Sequence, residues 1–232
     1  MKKKNYVLLL LICLLSSVSL SAQTTTESRS ASPFREIHLS GGIDVVYTVG
    51  NYALKVEAES NIIPTIETIV ENGNLMIRPR KGQKVRTQYK MVVHVSSPQI
   101  DKILLNGGSD FYAEELKNTK DISILASGGS DVNISTLTAS NVSLLFSGGS
   151  DAEINNLTAT NCILYFSGGA DANVNLDVTS VDAKASGGSD IKLTGKTKSI
   201  VINCSGGSDG NVKNLKYDTI TANASGSSDI SK

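Results

Sequence analysis

The sequence predicts an all-β fold, a β-solenoid with about 20 residues per coil, and two observations support this prediction. A five-residue turn phrase of the form SGGSD recurs through the second half of the chain. The segment before each phrase alternates apolar and polar residues, which is typical of a strand with one buried face. One such unit cannot bury its apolar side alone, so successive units must stack. Parallel strands are almost always connected by right-handed crossovers, so we expect a right-handed β-helix.

The spacing of the phrase defines the coil. Its seven copies are separated by 21, 20, 20, 19, 19 and 20 residues, counted from one terminal aspartate to the next. When the copies are aligned on this aspartate, the residues seven and five positions before it are apolar in all seven copies, as in Ile124, Leu144 and Leu164, and the residue nine positions before it is apolar in the last six. A second, shorter inward column lies three residues after it, as in Ile134 and Ile154. Each coil is therefore predicted to contain a strand, a tight glycine turn, a second strand and a return.

The chain divides into three predicted parts. Residues 1–22 form a signal peptide, with lysines at positions 2–4, an apolar run from Val7 to Leu15 and small residues up to Ala22. Residues 23–32 are a linker, and residues 33–232 form a single solenoid domain, irregular over 33–100 and regular over 101–232. No later apolar run is long enough to span a membrane. We therefore expect an exported protein that is periplasmic, extracellular or at the cell surface.

The first part of this domain contains strand-like segments without a regular period. Turn signals such as Gly50-Asn51 and Asn72-Gly73 separate them, and Ser40–Asp44 is a degenerate copy of the turn phrase. We expect these residues to form earlier coils of the same solenoid, covering one end of its core. The segments are Ile37–Leu39, Val45–Val49, Leu54–Ala58, Leu75–Ile77 and Met91–Val95.

These motifs resemble a known family. The repeated GSD turns, together with Phe34, Gly42–Val45, Gly50 and the strand beginning at Leu75, resemble the "putative auto-transporter adhesin, head GIN domain" family of exported bacterial proteins. The resemblance implies a β-helix like that of pectin lyases and a fold without recognised catalytic residues. It also implies a role in cell adhesion, with trimeric heads as one form of assembly.

The column of turn aspartates is the most prominent candidate site. We interpret each aspartate as a cap that accepts backbone N–H groups of its own turn. The alternative is a calcium-stabilised β-roll, in which stacked carboxylates hold cations. Neighbouring carboxylates about 4.8 Å apart in water repel by only about 0.9 kcal/mol, so the column is tolerable without metal. The column consists of Asp110, Asp131, Asp151, Asp171, Asp190, Asp209 and Asp229.

The paired glycines of the phrase permit positive φ angles in a tight turn. A phosphate-binding loop would need a helix after it, and a strand follows instead. The pairs are Gly107 and Gly108, Gly128 and Gly129, Gly148 and Gly149, Gly168 and Gly169, Gly187 and Gly188, and Gly206 and Gly207.

One cluster of basic residues contains no acid. A solvated hairpin loop is the favoured interpretation, and a patch that binds an anionic glycan or lipid head group is the alternative. Formal net charge is zero over the whole chain, so a nucleic-acid partner is not expected. The cluster comprises Arg78, Arg80, Lys81, Lys84, Arg86 and Lys90.

No catalytic residue, metal or cofactor is predicted. His38 and His94 each lie between apolar strand neighbours and should point outward, and Ala170 replaces a turn serine without breaking the phrase. A carbohydrate-active, lyase-like enzyme is the remaining alternative, for which acidic and basic groups should cluster on one outer face. The nearest such group is Asp182, Lys184, Lys192, Lys196 and Lys198.

The two cysteines after the signal peptide are predicted to be free. Cys162 and Cys204 occupy different columns of the repeat and lie two coils apart. A disulfide needs Cα atoms within about 7 Å, so we interpret both as small buried apolar residues.

The expected function is a non-catalytic binding or structural module that acts through its outer strand faces. The partner would be a glycan or protein of a host or neighbouring cell. The last phrase ends three residues before the chain does, which leaves a coil unfinished and indicates a homo-oligomer. A polar outward ladder two residues past each aspartate could make the contact, and it consists of Asn133, Glu153, Asn173, Lys192 and Asn211.

Overall fold

The computed structural model describes residues 24–83, 85, 87–118 and 120–232, and in this part the chain is built almost entirely from β-strands. One short 3-10 helix interrupts them at Ile63–Thr65. The predicted signal peptide lies outside the described residues. The strands are β1 (Thr24–Arg29), β2 (Glu36–Ser40), β3 (Ile43–Val49), β4 (Ala53–Glu59), β5 (Ile66–Glu71), β6 (Asn74–Pro79), β7 (Met91–Ser97), β8 (Lys102–Asn106), β9 (Phe111–Lys117), β10 (Asp121–Ser127), β11 (Val132–Thr138), β12 (Asn141–Gly148), β13 (Ala152–Gly168), β14 (Ala172–Gly187), β15 (Ile191–Gly206), β16 (Asp209–Gly226) and β17 (Asp229–Ser231).

The regular half is a β-solenoid, as predicted. Strands that precede the glycine turn pair in parallel from coil to coil, in the order β8, β10, β12 and then the second part of β13. Strands that follow the turn pair in the same way, in the order β9, β11 and the first part of β13. From β13 onward one long strand includes the return bend as well. We call the two stacks the pre-turn sheet and the post-turn sheet.

The core lies between these two sheets and is built from the predicted inward columns. The column seven residues before the turn aspartate is fully buried in every coil except the last, and burying each Ile or Leu side chain contributes about 1.5–3 kcal/mol. Phe146 and Phe166 stack in the neighbouring column with ring centroids 4.9 Å apart. The column is 0% exposed at Ile103, Ile124, Leu144, Leu164, Ala183 and Ile202.

The N-terminal residues extend this core, although their order in space differs from their order in the chain. The coil of β2 and β3 stacks on β8 and β9, with Ile37 beside Ile103. The coil of β6 and β7 stacks on the other side of β2 and β3, with Ile37 beside Leu75. The coil that comes first in the chain therefore lies between two coils that come later in it. Strands β4 and β5 then pair antiparallel with β7 and β6 at this end of the solenoid.

Part of the predicted linker is a strand, which corrects the prediction for residues 23–32. Residues Thr24–Arg29 form β1, which pairs antiparallel with β4 and places Arg29 opposite Leu54. The Arg29 guanidinium donates to the carbonyl oxygens of Ile66 at 2.7 Å and Ile63 at 2.9 Å. Strand β1 lies at the edge of the sheet and is almost entirely exposed, so it has no apolar alternation that would reveal it in the sequence.

Both cysteines are free and buried, as predicted. Burial raises the pKa of the Cys162 thiol to about 12. Burial, reinforced by Asp209 and Asp190, raises the pKa of Cys204 to about 11. Each thiol therefore serves as a small apolar side chain of the core.

Candidate functional site

The turn aspartates form a hydrogen-bonded ladder that joins successive coils. One carboxylate oxygen of each accepts the backbone N–H of the aspartate in the next coil, as from Asp131 to Asp110 at 3.1 Å. The prediction that each aspartate caps its own turn is therefore wrong, because the carboxylate accepts an N–H group of the neighbouring turn. Stacking places the neighbouring N–H within reach of the carboxylate. The same bond joins Asp151 to Asp131, Asp171 to Asp151, Asp190 to Asp171, Asp209 to Asp190 and Asp229 to Asp209.

The ladder begins in the N-terminal half. Asp44, in the degenerate copy of the phrase, accepts the N–H of Asp110 at 3.2 Å. Burial raises the pKa of Asp44, while the Asp110 N–H and the Lys90 ammonium, 3.5 Å away, oppose this shift. Burial and the flanking carboxylates also raise the pKa of Asp131. Among the residues that the structure describes, no three His, Cys, Asp or Glu side chains converge as metal ligands.

The paired glycines do not all adopt the same conformation. Both members have positive φ in the first two pairs, with 71° at Gly128 and 77° at Gly129. From Gly148 onward only the first member does, and Gly149, Gly169, Gly188 and Gly207 do not have positive φ. In the last three pairs the second glycine donates its N–H to the first glycine of the coil before, as from Gly188 to the Gly168 carbonyl at 2.6 Å. Ser227 occupies the same position and makes the same bond, at 2.7 Å.

The serine directly before the turn aspartate is fully buried in five copies of the phrase, at Ser109, Ser130, Ser150, Ser189 and Ser208. The Ser109 hydroxyl accepts the backbone N–H groups of Gly42 at 3.0 Å and Ile43 at 3.1 Å. The Ser130 hydroxyl accepts the N–H of Ser109 at 3.2 Å. These hydroxyls satisfy turn N–H groups inside the solenoid, so their role is structural.

A shallow apolar groove lies on the outer side of the pre-turn sheet. Its floor contains Leu104, Leu125 and Leu145, one per coil, and its volume is about 580 Å³. The turn residues Ser127 and Ser147 line one edge. These leucines occupy outward positions where alternation predicts polar residues, so the sequence signals the groove as a break in its own pattern.

A polar group closes one end of this apolar groove. The Lys184 ammonium lies 4.4 Å from the centre of the Tyr165 ring and donates to the Tyr165 hydroxyl at 2.9 Å. That hydroxyl donates in turn to Asp182 at 3.1 Å. The hydrogen bond to Tyr165 raises the pKa of Lys184, although the ammonium is exposed. The groove therefore combines an apolar floor with an aromatic ring and one cation.

The lyase-like group suggested by the sequence does not assemble. Asp182 and Lys184 lie on the pre-turn sheet, where they pair in register with Val201 and Asn203. Lys192 and Lys196 lie on the post-turn sheet, and Lys198 lies near the return bend. Lys196 forms an ion pair with Asp177 at 3.0 Å. Asp182 and Lys184 are thus on a different sheet from Lys192 and Lys196.

Each histidine points outward as predicted and contacts a glutamate. His38 Nε2 lies 3.1 Å from Glu36, and His94 Nε2 lies 3.0 Å from Glu57. All four side chains are about one-third exposed.

The basic cluster after β6 is partly neutralised. Arg78 donates to Glu67 at 2.8 Å, and Lys90 pairs with Asp44. Arg80 and Lys81 are exposed. Lys84 and Arg86 lie outside the described residues.

The outward polar ladder is continuous on the post-turn sheet. Strand register places Asn133, Glu153, Asn173, Lys192 and Asn211 side by side on successive coils. Asn173 donates to both oxygens of Glu153, at 2.9 and 3.0 Å.

A buried asparagine that the sequence did not signal anchors the junction with the N-terminal half. Asn118 donates to the Ile100 and Asp121 carbonyls, both at 2.9 Å, and to Asp101 at 2.6 Å. Asp101 also receives two hydrogen bonds from Arg35, which lower its pKa. Asn118 lies outside the repeated columns, so no pattern singles it out.

The fold and these surfaces define a short β-solenoid protein whose two sheets present their outer faces to solvent. The chain belongs to the family described as "Putative auto-transporter adhesin, head GIN domain", whose model matches residues 33–156 and 142–231. No curated protein matches the chain. None of the helices among residues 24–83, 85, 87–118 and 120–232 has the length and hydropathy to cross a membrane.

Solved structures share this fold over nearly the whole chain. A putative adhesin from Bacteroides fragilis is 23% identical, with a TM-score of 0.81, and the match covers 91% of this chain and 97% of that one. A putative adhesin from Parabacteroides merdae is 18% identical, with a TM-score of 0.76 and coverage of 91% and 98%. A protein from Parabacteroides distasonis named as a putative lipid binding protein is 16% identical, with a TM-score of 0.67 and coverage of 91% and 98%.

Proposed function

We propose that this protein is an exported, non-catalytic binding module of the adhesin-head type, which contacts its partner through the outer face of the pre-turn sheet. The partner is a glycan or protein on a host or neighbouring cell. The apolar groove of Leu104, Leu125, Leu145 and Tyr165 is the observation that carries the proposal.

The groove supports binding because its leucines face outward from the pre-turn sheet, on the side away from the core. The inward columns already fill the core, so the outward leucines add nothing to it. Contiguous apolar surface on an exported protein marks a contact site when polar groups surround it. Here the surrounding groups are turn serines on one edge and the Tyr165 group at one end. A groove of this volume lies within the range of ligand-binding clefts.

The family and its structural relatives agree with a binding role. The family description names an adhesin head, two similar structures are named putative adhesins and a third is named a putative lipid binding protein. The groove suits either an apolar side chain of a partner protein or the apolar face of a sugar. The same family and the predicted signal peptide support export to the surface.

A pair of double variants tests the proposal. The full chain is expressed with its own N-terminal segment and recovered from the exported fraction. Its binding to epithelial and bacterial cells is measured by flow cytometry, and its binding to glycans is measured on a glycan array. We expect Leu125→Asn with Leu145→Asn to abolish binding. Ile163→Asn with Val201→Asn is the matched control, since these side chains are 39% and 41% exposed on the same sheet outside the groove. Binding that survives the groove variant, with an unchanged melting temperature, would refute the proposal.

Self-association remains a prediction. Inward positions of β16, such as Ile220 and Ala222, are only partly buried in this chain. A second copy stacked there would cover them. Sedimentation at micromolar concentration measures the oligomer directly, and a monomer throughout would contradict this prediction.

A further inference from the structure

A second groove, on the outer side of the post-turn sheet, originates in the uneven lengths of the coils. The coils from Asp171 to Asp190 and from Asp190 to Asp209 contain 19 residues, whereas those on either side contain 20. The extra residue of each longer coil appears as a register shift. One shift lies in β13, between Ile154 and Leu157. The other lies in β16, opposite Lys192 and Thr194 of β15. A bulged strand bends away from its neighbours. Two short coils between two bulged ones therefore leave a depression.

Amide side chains surround this depression, and leucines lie at its base. Asn156 and Asn214 come from the two bulged strands, and Asn175 comes from the short coil between them. Leu157 and Leu176 line it with Gly195, and its volume is about 510 Å³. An adjoining depression of about 550 Å³ shares its central residues and continues toward the return bend. Together the two form one elongated groove, which we call the amide groove.

Gly195 is required by the backbone at this point. Coils on either side carry a buried leucine here, Leu176 and Leu215, which pair in register with Gly195. Gly195 has a φ of 95°, and a Cβ atom there would collide with the carbonyl oxygen of Leu176. A leucine therefore cannot continue the column, and the base of the groove remains open at this coil.

Lysines dominate the charge of the amide groove. Lys196 and Lys216 lie side by side on adjacent coils, and Lys198 lies farther along. Lys196 forms an ion pair with Asp177 at 3.0 Å, whereas Lys216 makes no ion pair within the described part of the chain. Three lysines and two aspartates thus line the groove.

We propose that the amide groove binds an anionic glycan. Asparagine amides provide both donors and acceptors for sugar hydroxyls. Adjacent ammonium groups attract a carboxylate or sulfate carried by the sugar. The length of the groove, which continues from one depression into the next, suits a chain of sugars. The site lies on the opposite sheet from the apolar groove and does not depend on the proposed adhesive function.

Two double variants with equal loss of charge test this inference on the full-length exported protein. Lys196→Gln with Lys216→Gln removes the charges inside the amide groove. Lys192→Gln with Lys213→Gln removes two charges from the same sheet outside it. The probes are a carboxylated chain (polygalacturonate), a sulfated chain (heparin) and neutral dextran, with affinities measured by calorimetry at two salt concentrations.

We expect the natural protein to bind at least one anionic chain and not dextran. The groove variant should bind it about tenfold more weakly, and the control variant should stay within about twofold, because only the former loses direct contacts. Binding to polygalacturonate alone or heparin alone supports the inference and identifies the acidic group. Equal weakening in both variants would show bulk charge attraction and overturn the site, as would a natural protein that binds neither anionic chain. None of these results changes the expected effect of Leu125→Asn with Leu145→Asn on cell binding.

Discussion

Adjacent glycines of one turn should respond oppositely to the same substitution, although the sequence phrase treats them as a pair. Gly187 has a φ of 80°, and a Cβ atom there would lie 2.9 Å from the Gly168 carbonyl oxygen and 3.2 Å from its nitrogen. Gly188 has no positive φ, and a Cβ atom there would lie 3.5 Å from the same oxygen, an ordinary contact. Ser227 shows that a side chain is accommodated at the second position.

The expected magnitudes follow from these contacts. Left-handed backbone costs a non-glycine residue about 1–2 kcal/mol, and the backbone collision at Gly187 adds to it. Gly187→Ala should therefore destabilise the fold by about 2 kcal/mol or more. For a domain of this size that lowers the melting temperature by about 4–8 °C. Gly188→Ala incurs neither penalty and restricts the unfolded chain, so we expect no loss or a gain of up to about 1 kcal/mol.

Thermal unfolding followed by circular dichroism, with calorimetry to check the transition, measures both variants. A further variant, Gly129→Ala, tests the difference between copies of the phrase. Gly129 has a φ of 77°, so this second-position glycine should be sensitive where Gly188 is not. Equal melting temperatures for Gly187→Ala and Gly188→Ala would refute the reasoning, because the backbone would then absorb a side chain at either position.

Three other predictions concern the core and the ion pair beside it. Phe146→Ala and Phe166→Ala should each lower the free energy of unfolding by about 3–5 kcal/mol, measured by denaturant unfolding. Because the two rings stack, the double variant should show an interaction energy between them of about 0.5–1.5 kcal/mol. Arg35 lowers the pKa of Asp101 below 3.8, so their pair stabilises the fold above that pH and loses its effect as the pH falls. Arg35→Met should accordingly lower the melting temperature at pH 7 by a few degrees, and the difference should shrink toward pH 3. The Cys162 thiol, with its pKa raised to about 12 by burial, should resist iodoacetamide at pH 8 until the protein is unfolded, and labelling of the native protein would contradict its burial.

The repeated half could be predicted in detail because stacking makes the pattern redundant. Every coil must place an apolar residue at the same inward positions, so Ile124, Leu144 and Leu164 each indicate the same buried column. The free cysteines followed from these columns, since residues in different columns two coils apart cannot meet. The apolar groove was not predicted, although the leucines of its floor stand at outward positions in the sequence.

The aspartate ladder could not be predicted because its bonds cross between coils. A carboxylate next to a turn can accept an N–H from its own turn or from the neighbouring one, and the sequence reads the same in both cases. Stacking decides between them, since it places the N–H of Asp131 3.1 Å from Asp110. The difference in φ between Gly129 and Gly188 could not be predicted either, because both belong to the same phrase, SGGSD.

By itself the sequence determined the solenoid, its coil length, its inward columns and the position of its glycine turns, because these are local periodic properties that every copy of the repeat shows. Tertiary structure alone decided that the first coil lies between two later ones, that β1 pairs with β4 and that two short coils open the amide groove. These features join strands that share no repeat, so their pairing depends on which edges and apolar surfaces meet once the chain has folded.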